Sequence, residues 1–310
     1  MVSIFPEVNW QDFLCCPMCH GAFDKNAEAW TCKACHLSFP LIRPGIPSLL
    51  SAEDRLKFSV ALMDEGGERM QAGYVRRYRQ DLSARIYRAL TPPVPVYEDP
   101  DSPPLPGAEP GMNLWLGAGG LITGTWINLD IAPFPGVEVV ANACRIPFSD
   151  GSFDRVACLA LLEHVDDPQL VVSEIRRVLK GRGIVDAVVP FCHPYHPFPS
   201  DFHRFSKEGL RHLFQDFENV EIGIRTGPTT TLLTFLTYYW KLIFPPHTRN
   251  PIRRWFNRIV LGIWGWTTAP LSRFDAWLNR LPDAHVLANH FYVRATKQRG
   301  RDPGIAGTRV

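Results

Sequence analysis

The sequence lacks an apolar run long enough to cross a membrane. Its most apolar stretch, TLLTFLTYYWKLIF, has 14 residues and contains a lysine, whereas a membrane-spanning helix needs about 20 residues. The opening residues, MVSIFPEVNWQDF, also lack the basic and apolar regions of a secretory signal. We therefore expect a cytoplasmic protein, whose clustered cysteines fit reduced thiols better than a disulfide framework.

Acidic residues are scarce towards the end of the chain. Residues 237–310 contain 12 Lys and Arg but only 3 Asp and Glu, although the whole chain carries a net charge of only +2. Such an excess often marks a surface for phosphate, nucleic acid or anionic lipid, and a solvated basic tail explains part of it. A hydrophobic fraction of 45% excludes a disordered protein.

Two pairs of cysteines occur near the start, in CPMC and CKAC. The first pair is Cys16 and Cys19, the second is Cys32 and Cys35, and 12 residues separate the pairs. This spacing is typical of two turns that wrap four thiolates around one zinc ion. Free thiols or a redox pair fit less well, because no βαβ pattern surrounds the cysteines. The neighbours Cys15, His20 and His36 leave the ligand assignment open.

The segment FPLIRPGIPSLL follows the second cysteine pair. With it, residues 11–50 resemble the Trm112-like zinc-ribbon domain, in which two cysteine pairs precede a similar strand and turn. Domains of that kind are commonly partners of methyltransferases or are fused to them. The resemblance implies a structural zinc ion.

From residue 112 onwards, short apolar segments alternate with helical patterns. Strand-like segments include MNLWLG, TWINLD, VEVVANA, RGIVDAVVPF and HFYVRAT, and helix-like segments include LVVSEIRRVLK and KEGLRHLFQDF. Nearly continuous apolar strands are typical of a parallel sheet that is covered on both faces. The pattern predicts an open, doubly wound α/β sheet with its ligand beyond the carboxyl ends of the strands.

The segment NLWLGAGG places glycines directly after the first of these strands, and Asp130 ends the next strand. Glycines allow a ligand to approach the backbone, and an acid in this position can accept hydrogen bonds from ribose hydroxyls. The separation of 13 residues from Gly117 to Asp130 is shorter than the roughly 20 of a dinucleotide-binding motif. A hydride-transfer enzyme is therefore the less favoured interpretation.

The downstream segments IPFSDGSFD, LEHV and EIRRVLKGRG continue the pattern. Together they resemble class I S-adenosylmethionine-dependent methyltransferases of the Methyltransferase-11 type. The resemblance implies a Rossmann-like sheet, mostly parallel with an antiparallel last strand. It also implies a set of cofactor-binding residues: Gly117, Ala118, Gly119, Gly120, Asp130, Asn142 and Ala143. In the family the glycine turn faces the methionine and ribose of the cofactor, the position of Asp130 binds the ribose, and the positions of Asn142 and Ala143 lie by the adenine. Trp115, Leu121 and Asn142 depart from the residues usual in that family.

Titratable residues cluster after the fifth strand, in PFCHPYHPFPSDFHRFS. Methyl transfer needs alignment of donor and acceptor, and a base only where the acceptor must lose a proton. The candidate catalytic residues are His193, His196, Asp201 and Arg204 here, and His164 after the fourth strand. The structural alternative is that Asp201 and Arg204 pair across a turn and that Glu163 and His164 only end a strand.

The segment PIRRWFNRIVLGIWGW carries apolar residues at helical spacing. Three interpretations remain open: a lid over an apolar acceptor, a helix that lies on an anionic membrane through residues 230–268, and an ordinary core helix.

The sequence thus predicts an S-adenosylmethionine-dependent methyltransferase with a structural zinc ion, which acts on a small acceptor, lipid-linked or sugar-derived. It would be cytoplasmic or peripheral at the inner membrane face. An RNA methyltransferase and a non-catalytic, partner-activating protein are the alternatives. The predicted segments are a zinc ribbon (1–50), a helical segment (51–90), a proline-rich linker (91–111), a methyltransferase core (112–228), an apolar and basic helical insertion (229–284), the last strand of the core (285–297) and a basic tail (298–310).

Overall fold

The computed structural model describes residues 9–63, 96–103, 107, 109–119, 125–197 and 200–299. Several predictions fall outside these residues: Gly120, residues 64–90 of the predicted helical segment, parts of the proline-rich linker and most of the basic tail. They stay predictions. Among the described residues, no helix combines the length and the apolar character that crossing a membrane requires.

The cysteine-rich segment folds as an antiparallel meander. Its four strands are β1 (Phe23–Lys25), β2 (Ala29–Cys32), β3 (Ser38–Arg43) and β4 (Ile46–Leu49). Three aromatic rings pack together: the centroid of the Phe23 ring lies 5.5 Å from that of Trp30 and 5.8 Å from that of Phe39. These aromatic residues give the small meander an apolar core beside the cysteines.

The central sheet is built from the alternating segments. Its strands are β5 (Asn113–Leu116), β6 (Ile127–Asp130), β7 (Val139–Ala141), β8 (Phe153–Leu159), β9 (Leu179–Pro190), β10 (Glu218–Thr226) and β11 (His290–Thr296). The helices are α1 (Ala52–Met63), α2 (Pro168–Val178), α3 (Lys207–Leu213), α4 (Pro228–Ile243), α5 (Pro251–Thr268) and α6 (Asp275–Leu278). Every residue of β5, β6 and β7 is buried, as expected for strands covered on both faces.

The strand order is β1-β2-β3-β4-β7-β6-β5-β8-β9-β11-β10. Neighbours from β4 to β9 pair in parallel, and β11 runs antiparallel to both β9 and β10. This is a Rossmann-like α/β sheet with an antiparallel last strand, so the predicted fold class is confirmed. The carboxyl ends of β5 to β9 share one edge, called here the carboxyl edge.

The cysteine-rich segment continues the central sheet. Strand β4 pairs in parallel with β7, with Ser48 opposite Val140. At the start of the segment, the amide of Cys15 donates a hydrogen bond to the carbonyl of Pro147 at 3.0 Å, and Leu14 forms an isolated antiparallel β-bridge with Phe148. Separate backbone contacts therefore attach this segment both to β7 and to the loop that follows it.

Helix α2 shows how local sequence determines the elements around the sheet. The Asp167 side chain accepts hydrogen bonds from the first helical amides, and Pro168 occupies the first turn, where no amide hydrogen is needed. The apolar residues of the helix repeat at helical spacing and lie against the sheet: Val171, Val172, Ile175 and Val178.

Candidate active site

The turn after β5 requires glycine. Gly117 and Gly119 have φ angles of +67° and +58°, a left-handed conformation that other residues adopt only at a cost. A Cβ atom on Gly117 would come within 3.1 Å of the Leu161 side chain. The turn therefore lies against the segment that follows β8, and between Gly117 and Gly119 the small, buried Ala118 completes it.

Asp130 ends β6 beside this turn. Its side chain is buried, and its two carboxylate oxygens accept hydrogen bonds from the amides of Gly119, at 2.9 Å, and Ala132, at 3.0 Å. Burial raises the pKa of this carboxyl group. A carboxylate offers about four acceptor positions, so Asp130 can hold the glycine turn and still accept hydroxyl groups of a ligand.

Asn142 and the buried Ala143 follow β7 at the same edge. The Asn142 amide donates to the Asp54 carboxylate at 2.7 Å, and its oxygen accepts from the Cys144 amide at 2.9 Å. Asp54 belongs to α1, and the Ser51 hydroxyl also donates to it. Sequence reasoning missed Asp54, although Ser51 and Asp54 have the spacing of a helix-capping pair.

Trp115, one of the residues that depart from the family pattern, packs inside the protein. It lies in the fully buried β5, with its ring 6.5 Å from the Trp126 ring in an edge-to-face arrangement. Trp115, Trp126, Ala118 and Ala157 form an apolar cluster of their own beside the glycine turn.

The segments after β8 and β9 bring three histidines together at the carboxyl edge, and His164, His193 and His196 are called here the histidine cluster. The His196 ring lies 5.2 Å from the His164 ring and 4.4 Å from the His193 ring. The Phe202 amide donates to the Glu163 carbonyl at 2.8 Å and so joins the two segments. The histidine cluster therefore lies after the ends of β8 and β9. The glycine turn, Asp130 and Asn142 lie at the ends of the neighbouring strands β5, β6 and β7.

Asp201 and Arg204 hold the second of these segments in place. The Arg204 guanidinium donates to both oxygens of the Asp201 carboxylate, at 2.5 Å and 2.7 Å, and to the carbonyls of His193 and Pro194. The Asp201 carboxylate also accepts from the His196 amide at 2.8 Å. The Arg204 guanidinium keeps the pKa of Asp201 well below its usual range. These contacts hold the segment that carries His193 and His196 in place, and the catalytic role predicted for Asp201 and Arg204 stays a prediction.

The histidines of the cluster differ in their surroundings. Burial lowers the pKa of His193. Burial also acts to lower the pKa of His196, but the nearby Glu163 carboxylate and Pro194 carbonyl outweigh it, so the pKa is raised.

Two residues that sequence reasoning missed line the cluster. His290 of β11 lies 5.1 Å from His193 between ring centroids, and burial lowers its pKa to about 3. Tyr238 of α4 lies 6.3 Å from the same ring. Because both residues come from distant parts of the chain, no local motif marks them.

The four predicted thiols form a second site. The Sγ atoms of Cys16 and Cys35 are 3.7 Å apart, those of Cys19 and Cys32 are 3.4 Å apart, and all four lie within 4.8 Å of one another. A tetrahedral zinc ion with bonds of about 2.3 Å separates its sulfur ligands by about 3.8 Å. The arrangement therefore fits one zinc ion held by four thiolates.

Comparisons with known proteins find similarity in the central sheet. Residues 128–185, from β6 to β9, match a family described as a methyltransferase domain. An uncharacterised protein of Methanocaldococcus jannaschii is 42% identical over 52 residues, 17% of this chain and 23% of that protein. A ubiquinone/menaquinone biosynthesis C-methyltransferase of Desulfotalea psychrophila is 35% identical over 69 residues, 21% of this chain and 28% of that protein. The matched part thus spans about a quarter of each of these relatives.

Solved structures similar to this chain include phosphoethanolamine N-methyltransferase 2 of Haemonchus contortus, with a TM-score of 0.43, 14% identity and coverage of 84% of this chain and 62% of that chain. Another is a complex of the Haloferax volcanii Trm112 methyltransferase activator with a methyltransferase, with a TM-score of 0.35, 16% identity and coverage of 63% and 86%. The family match runs from Asn128 to Val185, so the similarity to a methyltransferase domain lies in the centre of the sheet.

Proposed function

We propose that this protein is an S-adenosylmethionine-dependent methyltransferase. The observation that carries the proposal is the glycine turn held by the buried Asp130, within a sheet whose centre matches a methyltransferase domain. In this proposal the turn contacts the methionine and ribose, Asp130 accepts the ribose hydroxyls, and Asn142 and Ala143 lie at the adenine. The bound cofactor supplies an electrophilic methyl group, and the chain aligns an acceptor with it.

The cofactor proposal is tested by calorimetric titration of the zinc-loaded protein with S-adenosylmethionine and S-adenosylhomocysteine. A hydrogen bond to a charged group contributes about 1.5–3 kcal/mol, so Asp130→Asn is expected to weaken binding by about 10- to 100-fold. Asp216→Asn, at an exposed position on the loop after α3, is the matched control and is expected to bind as the wild type does. A folded wild-type protein that binds neither compound contradicts the proposal and favours the partner-activating alternative.

The acceptor proposal rests on the helices α4 and α5. They pack on each other through Trp240 and Trp264, whose rings are 5.9 Å apart. The buried residues of α5 are Asn257, Gly265 and Thr268, so the apolar stripe of this helix does not face the core. Large apolar side chains of both helices are exposed instead: Leu232, Phe235, Tyr239, Leu242, Ile252, Trp255, Phe256, Ile263 and Trp266.

The charges on these helices are of one sign. Residues 228–268 contain one lysine and four arginines and no Asp or Glu. An exposed apolar stripe with basic residues is typical of a helix that lies in the interface of an anionic membrane. Tyr238 of α4 reaches the histidine cluster, so the same helix pair connects this surface with the carboxyl edge. We therefore favour a lipid-linked acceptor over a free sugar or RNA.

Flotation with lipid vesicles tests this acceptor proposal. We expect the protein to float with vesicles containing phosphatidylglycerol and to stay behind with vesicles of phosphatidylcholine alone, because the exposed charges are basic. The variant Trp255→Ser/Trp266→Ser is expected to lose most of this binding, whereas Leu170→Ser, at a residue of α2 that is 50% exposed, should keep it. Equal flotation of all three proteins, or salt-sensitive RNA binding without vesicle binding, contradicts it.

We also propose a structural zinc ion in a Trm112-like ribbon at residues 11–50. Each cysteine pair closes a similar turn: the His20 amide donates to the Cys16 carbonyl at 2.8 Å, and the His36 amide donates to the Cys32 carbonyl at 3.0 Å. Such sites contribute folding free energy when the metal binds. Because the ribbon continues the sheet through β4, we expect the metal to stabilise the loop after β7 as well, which hydrogen exchange with and without chelator measures.

A further inference from the structure

The carboxylate of Glu163 lies in an unusual environment at the carboxyl edge. The residue is fully buried, and neither of its carboxylate oxygens has a hydrogen-bond partner among the described residues. A buried charge without hydrogen bonds or a countercharge is costly, and buried carboxylates are normally paired or bind metal. Glu163 therefore requires a positive group that lies close to it.

Two histidines of the histidine cluster bring ring nitrogen atoms close to this carboxylate. The Glu163 Oε1 atom lies 3.7 Å from His196 Nε2 and 3.9 Å from His164 Nε2. Hydrogen bonds between an imidazolium and a carboxylate are about 2.7–2.9 Å long. Both gaps are about 1 Å too wide for such bonds, and the three side chains surround a space between their ligand atoms.

The other ring nitrogen of each histidine faces oxygen acceptors. His164 Nδ1 contacts the Ser200 carbonyl. His196 Nδ1 lies 3.0 Å from the Pro194 carbonyl and 3.5 Å from the Asp201 carboxylate, and also 3.1 Å from His193 Nδ1 and 3.4 Å from Arg204 Nη2. A carbonyl oxygen only accepts, so the contact with Ser200 places a proton on His164 Nδ1, and the 3.0 Å contact with Pro194 favours the same tautomer of His196 over the longer contact with Arg204 Nη2. In that tautomer the Nε2 lone pair of each histidine is directed towards Glu163. Two lone pairs and a carboxylate that converge repel one another unless a cation lies between them.

This arrangement has the features of a metal site. Histidines that bind a metal through one nitrogen usually donate the other N–H to a carbonyl or carboxylate, as both histidines do here. The three ligand atoms lie within 4.8 Å of one another. An ion with bonds of about 2.1 Å can join ligands that are up to about 4.2 Å apart, which covers both distances to Glu163.

We propose that Glu163, His164 and His196 bind a divalent transition-metal ion, for which Zn²⁺ is the first choice, at a site separate from the four cysteines. Two histidines and one carboxylate leave at least one coordination position open, which is typical of catalytic rather than structural sites. In this proposal His164 and His196 are ligands instead of bases, and Asp201 positions His196. An acceptor oxygen bound at the open position would become more acidic.

The experiment uses the full chain with its cysteine site already filled. Calorimetric titration with Zn²⁺ is expected to show one further site, and metal analysis after dialysis is expected to give two zinc ions per chain. Glu163→Gln removes the charge at nearly constant shape, and His164→Gln provides a second variant in case the first unfolds. Each is expected to weaken the second site at least 100-fold while the cysteine site stays filled. His212→Gln, at an exposed histidine of α3, is the control and is expected to keep both ions.

Cobalt provides a readout that does not depend on enzyme activity. Co²⁺ in the cysteine site shows thiolate charge-transfer absorption, and Co²⁺ bound only by nitrogen and oxygen does not. A single metal ion in the saturated wild-type protein, or a second site that persists unchanged in Glu163→Gln and His164→Gln, overturns the proposal. Binding of S-adenosylhomocysteine is measured separately, so failure of the metal site and failure of the methyltransferase proposal are distinguishable.

Discussion

The hydrogen bond between Asp54 and Asn142 joins the N-terminal segment to the proposed cofactor site. The two side chains are 88 positions apart in the sequence and 2.7 Å apart in the structure, and Asp54 is only 9% exposed. If this bond positions Asn142, removal of either side chain will affect both the stability of the protein and its affinity for the cofactor.

The size of the effect follows from the charge of the acceptor. A hydrogen bond to an ionised group contributes about 1.5–3 kcal/mol to stability. Asp54→Ala also removes the contacts with Ser51, and Asn142→Ala also removes the contact with the Cys144 amide. Each single variant therefore loses more than the shared bond, and only a double-mutant cycle isolates it. We expect a coupling free energy of about 1.5–3 kcal/mol.

Urea unfolding of the wild type, both single variants and the double variant measures this coupling. A control cycle is available at Lys57 of the same helix, which forms an exposed ion pair with Asp166 at 3.3 Å and for which about 0–1 kcal/mol is expected. Asp54→Ala is also expected to weaken S-adenosylhomocysteine binding by about three- to tenfold, or roughly 1 kcal/mol. A coupling no larger than that of the control pair would refute the reasoning.

Three further pairs of substitutions test other parts of the structure. Gly21→Ala places a Cβ atom 2.9 Å from the Cys32 Sγ atom, so we expect the zinc affinity to fall. The control variant Gly45→Ala adds a Cβ atom in open space and should keep the wild-type zinc affinity. Competition with a chelator measures both affinities. Gly117→Ala and Gly151→Ala both place alanine at a positive φ, which costs about 1–2 kcal/mol of stability. Only Gly117→Ala is expected to weaken S-adenosylhomocysteine binding in calorimetry. Equal binding by the two variants would contradict the proposed role of the glycine turn. Arg177 donates five hydrogen bonds, two to carbonyls and three to carboxylates. Arg177→Ala is expected to lower the free energy of unfolding by about 3–5 kcal/mol, and Arg177→Lys is expected to lower it by less. Similar unfolding curves for Arg177→Ala and the wild type would show that these bonds contribute little.

The sequence alone determined the elements of the central sheet and the residues that the chain places at their ends. Continuous apolar strands, the glycine turn at Gly117 and the acid at Asp130 are local signals, because burial on both faces and a positive φ restrict which residues a position accepts. The spacing of the four cysteines is equally local, since one metal ion imposes it. For these features no long-range contact had to be known.

The tertiary structure alone decided which distant residues meet. It brought β4 onto the edge of the central sheet beside β7 and Asp54 onto Asn142, and no periodicity or motif encodes such pairings. It also turned the apolar stripe of α5 outwards, which the sequence pattern could not show because a stripe has the same period whether it is buried or exposed. Glu163, His164 and His196 come from segments after two different strands, so their convergence depends on the parallel order of β8 and β9. Contacts between elements depend on how the sheet is ordered, and that order is a property of the folded chain as a whole.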